Sequence, residues 1–190
     1  MTPRRRSEGG YTLVELMVVI IVLGLLATGV YVTWEAVVPR TKLNTAVREL
    51  AAALQETRSD AISRGVPFSV EYYFEAEGER PRGYRVVTPF RDRGVGGLAN
   101  STEARFAKAW KALPDNIEFQ SITVNGQIYT KGSCEVRFDA RGSATDHTIV
   151  LVQQPYRNNI FTIEVQALTG LIQFHSGEFV RDLPDDADFE

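Results

Sequence analysis

Between Glu15 and Glu35 the chain carries no charged residue, and that run fixes what its first quarter can become. Leu16–Thr33 supplies eighteen consecutive uncharged residues, the lower bound for a helix that crosses a bilayer. Glu15 stands at the head of this run. A carboxylate at the edge of a membrane-length apolar segment is costly to desolvate and usually marks a contact that the chain needs. Arg4, Arg5 and Arg6 precede the segment, and the positive-inside rule then keeps the N-terminus cytoplasmic and the rest of the chain outside.

Three readings compete for this segment. A secretory signal is cut after its apolar region at a small-x-small site, and Ala27-Thr28-Gly29 is a poor version of one behind an over-long run. A plain membrane anchor leaves Glu15 and the Gly9-Gly10 pair unexplained. The third reading accounts for both. The order of a basic leader, Gly9-Gly10, an aromatic Tyr11, then Thr-Leu-Val-Glu and an apolar helix resembles the type III signal of type IV prepilins and type II secretion pseudopilins. The resemblance implies cleavage by prepilin peptidase between Gly10 and Tyr11, N-methylation of Tyr11, and recruitment of the subunit into a filament through Glu15. Tyr11 stands where the family usually has Phe. Cleavage creates an α-amine beside lipid, and a carboxylate from a neighbouring helix can offset that charge.

Helical periodicity resumes after Pro39. Leu43, Val47, Leu50, Leu54, Ala61 and Ile62 recur mostly at spacings of three and four, with Arg48, Glu49, Glu56, Arg58 and Asp60 between them. Gly65 and Pro67 end the pattern. We read one long helix over about 11–64, bent near Pro39, with two separate helices as the alternative. Its first half spans a membrane or packs in a filament core, and its second half lays an apolar face on a sheet.

From Pro67 onward the period changes to two. Strands are expected at 68–74, 84–88, 117–124, 127–130, 134–138, 148–153, 160–165 and 170–174, with turn glycines at Gly126, Gly132, Gly142 and Gly170. Residues 91–103 form a polar loop, and Thr102–Leu113 is expected as a short helix capped by Ser101 or Thr102. Strands this close in sequence favour antiparallel pairing, so the fold class is α+β: a long N-terminal helix packed on an antiparallel sheet domain. The layout is a leader at 1–10, a transmembrane or filament-core helix at 11–38, its amphipathic continuation at 39–64, a globular domain at 65–181 and an acidic tail at 182–190.

The C-terminal part adds a second resemblance. Val136-Arg-Phe-Asp-Ala-Arg-Gly142, then Thr148–Val152, then Ile163–Gly170 is similar to the globular domain of the GspH/FimT family, with its Phe-x-x-x-Gly turn and its Thr-Gly before the last strand. In that family, pilins implicated in DNA uptake carry arginines just after the glycine. Here Leu171, Ile172 and Gln173 follow, so the electrostatic contribution that dominates DNA affinity is missing from that site. A formal net charge of −3 gives no global footprint for nucleic acid either.

No constellation in the sequence points to catalysis. His147 and His175 are the only histidines, each flanking an expected strand, and are read as surface or cap residues. Cys134 has no partner for an internal disulfide and is read as a small buried apolar group. No zinc spacing exists. The tail Asp185-Asp186-Ala-Asp188-Phe-Glu190 offers oxygen ligands without the glycine or spacing of a known calcium loop, and is read as solvated. Trp34 sits at the end of the apolar run, as interfacial anchors do, and Trp110 is assigned to the core or an interface.

These readings make the chain a non-enzymatic assembly subunit without cofactor, metal or small-molecule substrate. The resemblance implies an H-type minor pseudopilin of a type II protein secretion system, or alternatively a minor type IV pilin used for priming, adhesion or DNA uptake. Its implied partners are prepilin peptidase, other pseudopilins or pilins in a filament, the inner-membrane assembly platform and membrane lipid, with no nucleic acid favoured. The implied place is the bacterial inner membrane, single-pass, with a periplasmic globular domain.

Overall fold

The structure, a computed structural model, describes residues 12–93, 96–155 and 157–179; within the helix, the side chains of residues 28–40 lie outside that description. The leader, Gly10, Tyr11, the side chain of Trp34 and the acidic tail therefore fall outside the described residues.

One helix, α1, runs over Leu13–Arg64, and its backbone stays helical through Pro39. The chain divides into two units, Met1–Arg40 and Thr41–Glu190. In the first, the apolar side chains from Leu13 to Leu26 are uncovered, each about half exposed or more. Among the described residues no helix is long and apolar enough to cross a membrane. The expected charge-free segment, Leu16–Thr33, extends beyond Ala27, where the described side chains of this unit stop.

In the second unit, α1 buries Leu43, Val47, Leu50, Leu54, Thr57 and Ala61, the stripe that spacings of three and four put on one face. Thr57 joins it because its hydroxyl donates back to the Ala53 carbonyl at 2.7 Å, which satisfies the polar atom inside the core. Ile62, expected in the stripe, is instead exposed. The helix ends in a Schellman motif. Gly65 adopts a left-handed φ of 66°, its N–H donates to Ile62 O, and the Val66 N–H donates to Ala61 O.

Two antiparallel sheets follow. The first has the order β3 (Lys111–Ala112), β2 (Gly83–Val87), β1 (Phe68–Tyr73), β6 (Ser133–Phe138). The second has the order β5 (Gln127–Tyr129), β4 (Ile117–Val124), β7 (His147–Gln153), β8 (Ile160–Val165), β9 (Ile172–Ser176). One core joins the buried helix stripe to Phe68, Val70 and Tyr72 of β1, Val136 and Phe138 of β6, and Ile117, Ile122, Ile149, Leu151 and Ile163 of the second sheet. The α+β class read from the sequence is the class observed.

The expected helix at Thr102–Leu113 is absent. After turns closed by Ala104 N–H to Ser101 O and Arg105 N–H to Thr102 O, the chain runs beside β2. Thr88 N–H donates to Phe106 O, Lys108 N–H to Val86 O and Leu113 N–H to Arg82 O, and Lys111–Ala112 pairs with β2 as β3. The backbone groups along the outer side of β2 need partners, and that tertiary demand overrides the helix propensity of the Ala- and Lys-rich stretch. The last strand also starts later than expected, at Ile172 rather than Gly170, because Gly170 is spent on a left-handed turn.

Candidate functional site

The first candidate site is the start of α1. Thr12 is the N-cap and Glu15 the third helical residue, and they bond reciprocally. The Glu15 N–H donates to Thr12 Oγ1 at 3.2 Å, while Glu15 Oε2 accepts from the Thr12 N–H at 3.1 Å and from its hydroxyl at 3.2 Å. This is a capping box, which satisfies two of the helix's free N–H groups and places an acid at the positive end of the helix dipole. Sequence reasoning missed Thr12, although Thr-x-x-Glu before an apolar run is the signal for it. The geometry leaves Glu15 Oε1 without a partner among the described residues. The acid is thus oriented through one oxygen, with no described group on the other, beside uncovered Leu13, Val14 and Leu16. Gly10 and Tyr11 are outside the described residues, so their relation to Glu15 is not part of this geometry.

The second candidate site is the meeting of the two C-terminal motifs. The Phe138–Gly142 turn and the Thr169-Gly170 turn, 28 positions apart at their glycines, converge on Arg58 of α1. Arg58 Nε donates to Gly142 O at 3.0 Å, and Nη2 donates to Thr169 O at 2.8 Å. A Cβ on Gly170, at φ 59°, would lie 2.3 Å from Gly142 O and 2.6 Å from Arg58 Nε. No side chain fits there, which gives the Thr-Gly motif a steric cause. The sequence reading placed Arg58 among the solvent-side charges. Its spacing of four from both Leu54 and Ile62, which sets it on the border of the buried stripe, is the only local hint of its role.

Among the described residues, the remaining titratable groups do not form an acid–base constellation. His147 is a correction to the surface reading: it is 2 % exposed, in the core between the Tyr72 and Phe138 rings, each with its centroid 6.3 Å away. Its Nδ1 sits 2.7 Å from Thr145 O, which makes Nδ1 the protonated nitrogen, and Nε2 is buried without a partner among the described residues. Burial pushes its pKa down to about 4 against the smaller upward effects of the Thr145 bond and Asp146. The Tyr72 hydroxyl is likewise buried without a partner. His175 pairs through Nε2 with the buried Glu164 at 2.9 Å and stacks on Phe179, with ring centroids 3.7 Å apart. Cys134 is buried as expected, and burial pushes its thiol up to about 12, which makes it a poor nucleophile. Trp110 lies half-buried on the outer side of the first sheet, edge-on to Tyr73 at 4.6 Å and under the Arg85 guanidinium at 4.3 Å. An open depression of about 350 Å³ lies against β4 and β7, and its one carboxylate, Glu118, is already tied to Arg82 and Gln154. Among the described residues no three His, Cys, Asp or Glu side chains gather in a way that could hold a metal ion.

Comparison with known proteins places this geometry. A search of the curated proteins finds no match. Among solved structures, the minor pseudopilin EpsH from the type II secretion system of Vibrio cholerae is similar at a TM-score of 0.52 and 12 % identity, over 74 % of this chain and 99 % of that one. The type IV minor pilin FimU of Pseudomonas aeruginosa aligns at a TM-score of 0.46 and 18 % identity, over 72 % of this chain and 90 % of that one. At these identities the EpsH likeness speaks for the fold alone. Residues 5–31 match the prokaryotic N-terminal methylation motif. Residues 46–169, which contain Arg58, the Gly142 turn, Thr169 and all of β1 to β8, match the type II transport protein GspH, and the chain belongs to that family.

Proposed function

We propose that the chain is a minor pseudopilin of a type II protein secretion system, a structural subunit made as a precursor and built into a pseudopilus. Prepilin peptidase cuts between Gly10 and Tyr11, Tyr11 becomes the methylated N-terminus, and residues 11–38 hold the subunit in the inner membrane before they pack in the filament core. The domain from 65 to 181 stays on the periplasmic side and meets neighbouring subunits, and the acidic segment 182–190 stays in solvent. The observation that carries this reading is the Glu15 carboxylate, oriented by its own helix turn through Oε2, with no partner at Oε1 among the described residues, and set among uncovered apolar side chains. Alone in lipid such a group is unfavourable. A methylated amine on the adjacent subunit supplies the missing partner, which ties the stability of the acid to assembly.

Two substitutions test it in cells that express the peptidase and the other filament subunits. Gly10→Ala blocks leader removal, so the precursor keeps its slower mobility on a gel. Glu15→Val is processed normally but is lost from sheared filament fractions. Wild-type mobility of the first variant, or wild-type incorporation of the second, overturns the corresponding step.

A further inference from the structure

The two sheets have four edges, and three of them are blunted. β3 is two residues long and carries Lys111, and β5 is three residues long. β6 is longer, but it alternates exposed Glu135 and Arg137 with buried residues. Its outer side is also occupied: Arg137 N–H donates to Thr145 Oγ1, Thr145 N–H donates to Arg137 O, and Phe138 bridges to Ala144. Short edges, edge charges and covered edges are the usual defences against unwanted strand pairing.

β9 has none of these defences among the described residues. Its five residues, Ile172-Gln-Phe-His-Ser176, contain no Lys, Arg, Asp, Glu or Pro, and they pair with β8 in unbroken register. Gly177 N–H donates to Ile160 O and Gln166 N–H donates to Leu171 O, which fixes 171, 173, 175 and 177 as the residues that bond inward to β8. The backbone N–H and C=O groups of Ile172, Phe174 and Ser176 then point outward, and none has a partner among the described residues. The same strand shows apolar surface: Phe174 is 51 % exposed, edge-on to Phe161, and Leu171 just before it is 50 % exposed.

We propose that the outer edge of β9 is a docking site for an extended strand of another pilin-like subunit, added antiparallel or parallel to the second sheet. The proposal rests on the filament reading above. The occupant is fixed by chemistry. Three donors and three acceptors in a row, without partners among the described residues, are satisfied together only by another extended backbone. The side chains of the incoming strand that lie beside Phe174 are apolar, and those beside Gln173 and His175 are polar, since the two faces of β9 differ in that way. The edge is about 17 Å long, enough for one strand of ordinary length.

The test uses the full chain in cells assembling the filament, with benzoylphenylalanine at position 174 as photocrosslinker and mass mapping of the product. The expected product joins position 174 to a strand segment of a second, different pilin-like chain. Ser176→Pro removes one outward N–H while leaving the β8 ladder intact, and it is expected to abolish that product without changing the melting temperature. Where the proline variant unfolds, Ser176→Lys keeps the backbone and adds an edge charge, with the same loss expected. A product with a second copy of this chain, a product with a protein that is not pilin-like, or no product from a subunit that is processed and filament-bound overturns the docking proposal. So does a crosslink that survives both substitutions. A chain that is neither processed nor filament-bound overturns the filament reading itself, which leader mobility and filament fractionation report separately.

Discussion

Acidification should destabilise this domain through one buried side chain. His147 is neutral in the folded core, with Nδ1–H given to Thr145 O and a bare Nε2 facing aromatic rings. Its pKa falls from 6.5 to about 4 on folding, chiefly through desolvation. The sign follows from which state binds the proton. Between pH 6.5 and about 4 the unfolded chain takes up a proton that the folded chain refuses, so stability drops as pH falls through that window and is unaffected above it. At about 1.4 kcal/mol per unit, the loss accumulates to roughly 3 kcal/mol by pH 4. That is a large share of the ~5–15 kcal/mol typical of a domain. The assay is urea unfolding followed by tryptophan fluorescence at pH 7, 6, 5 and 4, on the wild type and on His147→Leu. The variant loses the Thr145 bond and starts out less stable, but the pH dependence due to carboxylates such as Glu135 is common to both chains and cancels in the difference. The wild type should lose about 3 kcal/mol more than the variant between pH 7 and pH 4. Parallel curves for the two proteins would refute the buried neutral histidine.

Two further outcomes follow from the turns on α1. Gly170→Ala combines a left-handed backbone with a Cβ inside contact distance of Gly142 O and Arg58, and should lower unfolding stability by about 2–4 kcal/mol in a denaturant titration; a change within error would mean that the two turns do not meet. Thr12→Ala removes one side of the capping box and should lower the helicity of the first turns by an amount equivalent to about 1 kcal/mol, read as faster amide exchange at residues 13–16, while leader cleavage proceeds at the wild-type rate.

What was legible in the sequence depended on how far apart the determining residues lie. The stripe from Leu43 to Ala61 is a local pattern, and the structure buries it. The period-two strands are local as well, and most were placed within a residue or two. Lys111–Ala112 was misread because the deciding fact, an open side of β2, lies 27 to 29 positions earlier in the chain, at Tyr84 and Gly83. His147 looked polar in its Asp-His-Thr setting. Its burial comes from pairing with Val124 on one side and Val165 on the other, a register no local window contains. Arg58 is the extreme case, since its acceptors lie 84 and 111 positions away. At the first candidate site the opposite happened. Glu15 was read from its cost in lipid, and the Thr12 signal three residues before it was overlooked.

Those same separations set an order of events during synthesis. Ribosomes deliver α1 first, so Arg58 exists long before Thr169 does. Contacts across such long stretches close late, because the chain entropy of a large loop must be overcome before they form. Until Thr169 is made, the guanidinium can reach only the first of its two carbonyls, that of Gly142. A subunit truncated before Thr169 retains its entire helix and the Arg58–Gly142 bond, but not the Arg58–Thr169 bond that ties the end of the domain to the helix.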